Sequence, residues 1–289
     1  MITRLADHQI FLDYGPMQMT LSAWQEQRPM REELLEAAQY SMERLTELAA
    51  FLPAAKGPAD TIPEEDRLPI SLRYMLEGVR AARDASLTPM AAVAGSFADL
   101  AAEYLQQRGA TKVLVNNGGD VAIRLRPGEK TRVGILPAID AIQFTHTVEV
   151  AAEDGIGGVA TSGLGGRSLT KGIASSVTVL AGTARVADSC ATLIANHCNV
   201  DDDGILRRRA EDIDPDTDIR GHWVTVAVPA LSNEKKQRAL AGGMEKAREL
   251  MAGNIIRGAV LFVGEWMDMV PGGLCRAWGS TRNSGGSDK

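Results

Sequence analysis

Cysteine, histidine and aromatic residues are all scarce in this chain of 289 residues. The three cysteines, Cys190, Cys198 and Cys275, form no C-x-x-C pair, and their odd number excludes a complete disulfide framework. We therefore expect reduced thiols in a cytosolic protein. The four histidines show no metal-ligand spacing, which excludes a zinc site of the histidine and cysteine type.

An excess of positive charge and a long apolar run are missing too. The formal net charge is -6, so the chain repels a phosphate backbone, and nucleic-acid binding is excluded as its main function. No stretch approaches the roughly 20 apolar residues of a membrane span, and the first residues do not resemble a signal peptide. We expect a cytoplasmic protein without a membrane partner. The sequence does not indicate an oligomeric state.

What is present fits a globular protein, with 45% hydrophobic and 24% charged residues. Periodicity and turn signals predict a hairpin over 8–24, helices over 29–52, 69–84, 89–108, 184–199 and 233–251, and strands over 112–115, 121–125, 131–136, 142–150, 173–181, 223–228 and 255–263. Helices and strands are clustered rather than strictly alternating. This order predicts an α+β fold with a mixed, largely antiparallel sheet packed by helices.

We expect one domain over residues 1–278, or two intimate subdomains within that range. A Ser/Gly-rich disordered tail is expected over 279–289. Seven glycines fall within residues 155–172, a density that predicts a functional or tightly turning loop. Residues 200–221 are predicted as an acidic loop.

The first polar constellation is Asn116-Asn117-Gly118-Gly119-Asp120, at the end of a predicted strand. Glycines let a backbone approach a ligand and expose its N–H groups, and an aspartate there can accept hydrogen bonds from a ribose or a ring. The alternative is a tight hairpin turn, for which Asn-Gly is the strongest short signal. The pattern alone favours the turn.

The second constellation begins with Thr161-Ser162-Gly163 and continues to Arg167 and Lys171. Exposed backbone N–H groups, hydroxyls and two cations suit an anionic phosphate. The alternative is a flexible surface loop. The segment is not a P-loop, because no G-K-[ST] sequence closes it.

The third constellation is Asp188 with Thr192, four residues apart on a predicted helix and therefore on one face. A carboxylate and a hydroxyl on one face can hold a hard cation such as Mg²⁺, with water and phosphate completing its coordination. The alternative is an aspartate near a helix start, with a packed threonine behind it.

Taken together, the order Asn-x-Gly-Gly-Asp, Thr-Ser-Gly and Ala-Asp-x-x-Ala-Thr resembles the ApbE-like FAD:protein FMN transferases, and within them a cytoplasmic branch, over about residues 88–200. The resemblance implies an FAD or FMN cleft, Mg²⁺ and a protein acceptor that receives FMN. The implied flavin-binding residues are Asn116, Gly118, Gly119, Asp120, Thr161, Ser162, Gly163 and Arg167. The implied Mg²⁺ ligands are Asp188, Thr192 and the carbonyl of Ala94.

The chain departs from those transferases after Thr-Ser-Gly. They carry His-x-x-Asp-Pro-x-Thr-Gly there, whereas residues 169–176 read Leu-Thr-Lys-Gly-Ile-Ala-Ser-Ser. The resemblance therefore implies nucleotide binding more strongly than Mg²⁺-dependent FMN transfer or FAD pyrophosphatase activity, and it identifies no catalytic residue. Two alternatives stay open. One is a factor of sulfur amino-acid (homocysteine) assembly on the same fold, and the other is a non-catalytic binding protein.

Overall fold

The computed structural model describes residues 1–62 and 67–279. Fifteen strands lie in these ranges: β1 (Ile2–Ala6), β2 (Gln9–Tyr14), β3 (Met17–Gln25), β4 (Arg28–Pro29), β5 (Lys112–Asn117), β6 (Asp120–Leu125), β7 (Lys130–Ile135), β8 (His146–Ala151), β9 (Gly158–Ser162), β10 (Ser176–Ala181), β11 (Leu206–Arg209), β12 (Trp223–Ala227), β13 (Ile256–Val263), β14 (Trp266–Val270) and β15 (Arg276–Ala277). Ten of them form one sheet in the order β1-β2-β3-β5-β6-β9-β10-β13-β14, with β4 paired to β3. The strand pairs of this sheet are antiparallel.

Helices cover one face of the large sheet. The described helices are α1 (Arg31–Ala49), α2 (Leu52–Ala55), α3 (Ile70–Ala81), α4 (Val93–Gln107), α5 (Ala184–His197), α6 (Ala210–Ile213) and α7 (Asn233–Ala252). Helix α4 packs on β5 and β6, α5 on β9 and β10, and α7 on β13 and β14. No helix within the described ranges is both long and apolar enough to cross a membrane.

On the other face of the large sheet, a small sheet of order β15-β8-β7 contributes residues to a second hydrophobic core. The apolar alternation of β5 shows the two layers: Val113 and Val115 join the core under the helices, whereas Leu114 packs into the core shared with β7 and β8. Every residue of β10 is buried, since this strand is covered on both faces. The structure confirms the predicted α+β fold with a largely antiparallel sheet, while the single-domain assignment stays a prediction.

Two of the predicted loops are wrong in part. Residues 158–162 of the glycine-rich segment form β9, which pairs with both β6 and β10. The glycines serve close packing here, because a Cβ on Gly157 would lie 2.2 Å from the Gly182 carbonyl oxygen and one on Gly158 would lie 2.2 Å from the Ala184 nitrogen. The acidic segment 200–221 contains β11 and α6.

Two other predictions need adjustment. The strand predicted over 142–150 begins only at His146. The predicted disordered tail lies, from residue 280 onward, outside the described residues.

A close crossing of α4 and α5 positions the site. A Cβ on Gly95 would lie 2.3 Å from the Ala184 carbonyl oxygen, so only glycine allows α4 to approach the start of α5 this closely. The crossing places the first turns of the two helices beside the ends of β5, β6 and β9.

Candidate functional site

The Asn-Asn-Gly-Gly-Asp segment is a hairpin turn between β5 and β6. Asn117 pairs with Asp120, and the two glycines between them have φ values of +66° and +114°. The side chain of Asn116 accepts a hydrogen bond from the Gly119 N–H at 2.9 Å and so braces the turn. The turn interpretation is therefore correct for Gly118 and Gly119. This turn delivers the two flanking side chains to the edge of the helical layer.

Asp120 links this hairpin to the Thr-Ser-Gly segment. Because β6 pairs with β9, the buried Asp120 carboxylate accepts a hydrogen bond from the Thr161 N–H at 3.3 Å. The Thr161 hydroxyl lies 2.9 Å from the hydroxyl of Thr178 on β10. Burial raises the pKa of Asp120 to about 7. Ser162, next along β9, is partly exposed.

Asp188 and Ala94 meet on the helical side of the same place. The Asp188 carboxylate accepts a hydrogen bond from the Gly95 N–H at 2.9 Å. The Asn117 side-chain amide donates to the Ala94 carbonyl at 3.0 Å, which ties α4 to the hairpin. Burial, and after it the nearby Asp120 carboxylate, raises the pKa of Asp188 well above its ordinary value. Asp120 and Asp188 thus form a pair of like charges, called the acidic pair below.

Thr192 lies one turn after Asp188 on α5 and is partly exposed. Across the described ranges its hydroxyl has no hydrogen-bond partner. The predicted spacing therefore puts a free hydroxyl on the same helix face as the Asp188 carboxylate.

Gly163 and Arg167 belong to the segment that follows β9. Gly163 has φ +150°, and a Cβ there would lie 2.9 Å from the Ser175 carbonyl oxygen. The exposed Arg167 guanidinium donates to the Pro16 carbonyl at 2.5 Å and lies 3.4 Å from where a Cβ on Gly118 would sit. Arg167 therefore reaches two hairpin turns, the β2–β3 turn at Pro16 and the β5–β6 turn at Gly118.

Sequence reasoning missed two features of this place. Asn117 occupies the variable position of the Asn-x-Gly-Gly-Asp motif, and its side-chain amide donates a hydrogen bond to the Ala94 carbonyl. Asp120 lies against Thr161 and Asp188, an arrangement that the sequence does not indicate, while its hydrogen bond to a ribose or a ring stays a prediction. The doubled asparagine was the only signal of the first feature, and no local signal pairs two aspartates 68 positions apart.

The donors gathered here are all oxygen atoms. They are two carboxylates, the threonine hydroxyl and a backbone carbonyl that already accepts one hydrogen bond. In the described part of the chain, no group of three or more His, Cys, Asp or Glu side chains is arranged to hold a metal. A cation at this place would thus need backbone and water ligands, as Mg²⁺ tolerates. The donor set fits a hard cation, which would also relieve the like charges.

A second buried charge cluster, the Asp99 network, lies one turn further along α4. The fully buried Asp99 accepts hydrogen bonds from the backbone N–H groups of Ala184 at 3.2 Å and Arg185 at 3.0 Å. It also accepts from the side chains of Arg185 at 2.9 Å and Arg124 at 2.8 Å. Glu103, one further turn along, contacts both arginines. Arg185 also pairs with Glu77 at 3.0 Å, so both arginines meet carboxylates and the network fastens α5 to α4.

Comparison with known proteins gives a family and several relatives. A family model described as AbpE bacteria matches residues 2–273. The chain is 36% identical over 135 residues to a UPF0280 protein of Methanothermobacter thermautotrophicus, covering 47% of this chain and 51% of that relative. It is 31% identical over 170 residues to a UPF0280 protein of Methanospirillum hungatei, covering 57% and 68%. The match thus spans about half the length of the first relative.

Solved structures also match the chain, at lower sequence identity. A variant of the flavin transferase ApbE from Vibrio cholerae is 12% identical with a TM-score of 0.49, covering 90% of this chain and 96% of that one. The apo flavinyl transferase ApbE of Pseudomonas stutzeri is 14% identical with a TM-score of 0.46, covering 67% and 86%.

Proposed function

The chain belongs to the AbpE bacteria family, and from this premise and the site geometry we propose that it binds a flavin nucleotide, FAD or FMN, together with Mg²⁺. The membership agrees with the ApbE-like resemblance drawn from the motifs. One observation carries the proposal: the acidic pair, the Ala94 carbonyl and the Thr161–Gly163 segment converge from four separate parts of the chain.

Mg²⁺ would be held by Asp188 and Thr192 with the Ala94 carbonyl, where it would neutralise phosphate charge. The chain prepares these donors in advance. The Gly95 N–H fixes one oxygen of the Asp188 carboxylate, and the Asn117 amide orients the Ala94 carbonyl. Asp120 adds a second negative charge next to Asp188, which favours a divalent cation over a monovalent one.

The flavin nucleotide would lie against the open side of the two hairpin turns and the end of β9. Gly118 and Gly119 are exposed, so their backbone groups are accessible to a ligand there, and Ser162 is partly exposed, whereas Gly163 is buried against the backbone of residues 174–176 and shapes the end of β9. Arg167, which reaches over Gly118, offers a cation to the ligand's outer edge. The choice of flavin rests on the family and its motifs.

Binding is better supported than transfer. Residues 169–176 have no His, Asp or Pro, and their backbone is used for packing: the Ile173 N–H donates to the Cys198 carbonyl at 2.8 Å and the Ser175 N–H to the Phe262 carbonyl at 2.9 Å. We assign no catalytic residue. Hydrolysis of FAD to FMN and AMP is the activity to test, and transfer to a protein acceptor comes after it. No feature of the site favours the sulfur amino-acid alternative.

Isothermal calorimetry of FAD and FMN, with and without Mg²⁺, tests the proposal on the wild type and on Asp188→Asn. The asparagine can still accept from the Gly95 N–H, so the fold is preserved while the charge is removed. We expect Mg²⁺-dependent binding that weakens at least about tenfold in Asp188→Asn, as loss of a charged interaction predicts. The exposed Asp201→Asn is the matched control and should bind as the wild type does.

Each result decides a separate part. Failure of the wild type to bind any flavin with Mg²⁺ present would contradict the ligand assignment. Equal affinities in wild type and Asp188→Asn would contradict the metal site. Chromatography of the FAD mixtures then distinguishes a pyrophosphatase, which releases FMN and AMP, from a binding protein, which releases neither.

A further inference from the structure

Helix α5 is largely buried, and a polar strip runs along its partly exposed side. Asp188, Thr192 and Asn196 are partly exposed, whereas the residues that pack toward the core around them are buried. Because they are spaced by four residues, they lie on one helix face. Eight residues at a rise of 1.5 Å give the strip a length of about 12 Å. One end of the strip is the acidic pair.

Lys171 stands at the other end of the strip, on a fixed backbone. Its N–H donates to the Asn196 side-chain oxygen at 3.0 Å. Its carbonyl accepts from the Asn199 side-chain amide at 3.2 Å and from the Thr225 hydroxyl at 3.3 Å. The lysine side chain therefore leaves from a position that three side chains determine.

The Lys171 ammonium group is only partly exposed. Within residues 1–62 and 67–279 it has neither a hydrogen-bond acceptor nor an ion-pair partner. Burial lowers the pKa of Lys171, whereas the more distant carboxylates of Asp84 and Asp218 raise it. A partly buried cation without a partner is costly, and a bound anion would offset that cost.

We propose that Lys171 binds a phosphate group of the ligand, so that the nucleotide's phosphates lie along α5 between the acidic pair and Lys171. This inference rests on the proposed function for the identity of the ligand. It gives the ligand a direction, because a cation site and a fixed ammonium group mark the two ends of the strip. It also separates Lys171 from Arg167, whose guanidinium is bonded to the Pro16 carbonyl.

The acidic neighbours of Lys171 are engaged elsewhere. Asp84 accepts from the Ser86 N–H at 2.8 Å, and Asp218 accepts from the Thr88 hydroxyl. His222 also faces this region, and burial, followed by the charge of Lys171, lowers its pKa. The two carboxylates thus favour the charged form of Lys171 without neutralising it by direct contact.

Calorimetry with three probes tests the assignment: FAD, riboflavin and inorganic pyrophosphate, each with Mg²⁺. The variant is Lys171→Met, which keeps the aliphatic stem and removes the charge. We expect its affinity for FAD and pyrophosphate to fall at least about tenfold, with riboflavin, which has no phosphate, unaffected. Lys171→Arg should recover part of the loss. Lys236→Met is the control, because that lysine is also largely covered but pairs with Glu265 at 2.9 Å.

The outcomes separate this inference from the proposed function. Wild-type affinity of Lys171→Met for FAD and pyrophosphate would overturn the inference, and so would an equal loss of riboflavin binding. Lys171-dependent pyrophosphate binding without any flavin binding would support the inference and overturn the flavin assignment. A wild type that binds neither pyrophosphate nor FAD would overturn both. Lys171→Gln replaces the methionine variant if the latter does not fold.

Discussion

Two buried charge clusters lie one turn apart along the same two helices, and they are built in opposite ways. In the Asp99 network, a fully buried carboxylate meets two arginines at 2.8 and 2.9 Å and two helix N–H groups. In the acidic pair, Asp120 and Asp188 accept only backbone N–H groups from the protein and repel each other. The carboxylates of the network meet cations within the protein, whereas no cation among the described residues meets the acidic pair.

The difference teaches how buried charge can be assigned a role. A buried carboxylate with matched cations contributes to the fold, and breaking the match costs a large part of the stability. Two buried carboxylates without a cation have raised pKa values and reduce stability, a cost that a protein tolerates where a ligand or metal will bind. Burial alone would not have separated Asp99 from Asp120, since both are buried.

The largest expected effect comes from breaking the Asp99 network. Asp99→Ala leaves the two arginine side chains and the first N–H groups of α5 without their acceptor. We expect a loss of about 3–5 kcal/mol in the free energy of unfolding, as for other buried pairs that lose one partner. Urea denaturation followed by circular dichroism measures it.

Asp13→Ala is the control for this measurement, because Asp13 is exposed on β2 and its loss should change stability by less than about 0.5 kcal/mol. An Asp99→Ala midpoint as high as the control's would show that the network does not fasten α5 to α4. The Asp99 network could then no longer be described as buried charge that stabilises the fold.

The sequence indicated one part of the acidic pair's surroundings and nothing of the Asp99 network. Asp188 and Thr192 could be placed on one helix face from their spacing, because helical periodicity is local. Asp99 gives no such local signal, since its partners Arg124 and Arg185 are 25 and 86 residues away. Contacts over such separations depend on how strands pair and helices cross, which no local pattern determines.

The fold shows the same division between local and distant causes. The hairpin at Gly15-Pro16 and the five long helices were predictable, since turn chemistry and periodicity act over a few residues. Strand β9 was missed because its glycines were interpreted by their own flexibility. These glycines are required by a neighbouring segment, because the β10–α5 connection approaches Gly157 and Gly158 too closely for any side chain.

A smaller effect, opposite in sign, should follow from relieving the acidic pair. Burial raises the pKa of Asp120 from 3.8 to about 7, so the folded protein binds more protons than the unfolded chain between these values. The stability of the metal-free wild type should therefore fall as the pH rises from about 4 to 7. Asp120→Asn should lessen this decline, leaving the part that the raised pKa of Asp188 causes, and it should be more stable than the wild type at pH 8 by about 1–3 kcal/mol.

Thermal unfolding in a chelator at pH 5 and pH 8 measures this difference. Asp13→Asn, which changes an exposed aspartate, should retain the wild-type decline. If Asp120→Asn declines with pH as the wild type does, Asp120 is not held among apolar surroundings with a second carboxylate. Asp120 would then titrate as an aspartate on the protein surface does.

The smallest expected effect concerns Cys190, which follows Asp188 on α5 by two residues. Burial raises the pKa of this thiol to about 12, and Asp188 adds to the shift. A cation bound at Asp188 could lower the pKa only if the thiol faced it, but Cys190 is fully buried in the core under the helices. We expect no labelling of Cys190 by iodoacetamide at pH 8, with or without Mg²⁺, and mass spectrometry reports the modified sites.

The urea-unfolded chain is the control, in which all three cysteines should be modified, since exposure restores an ordinary thiol pKa. Mg²⁺-dependent modification of Cys190 in the folded protein would show that the cation acts on the core side of α5. Because Cys190 and the polar strip lie on different sides of that helix, such a result would move the cation away from Asp188 and Thr192. Absence of labelling is the expected result and agrees with a cation on the strip, where Asp188, Thr192 and Asn196 are partly exposed.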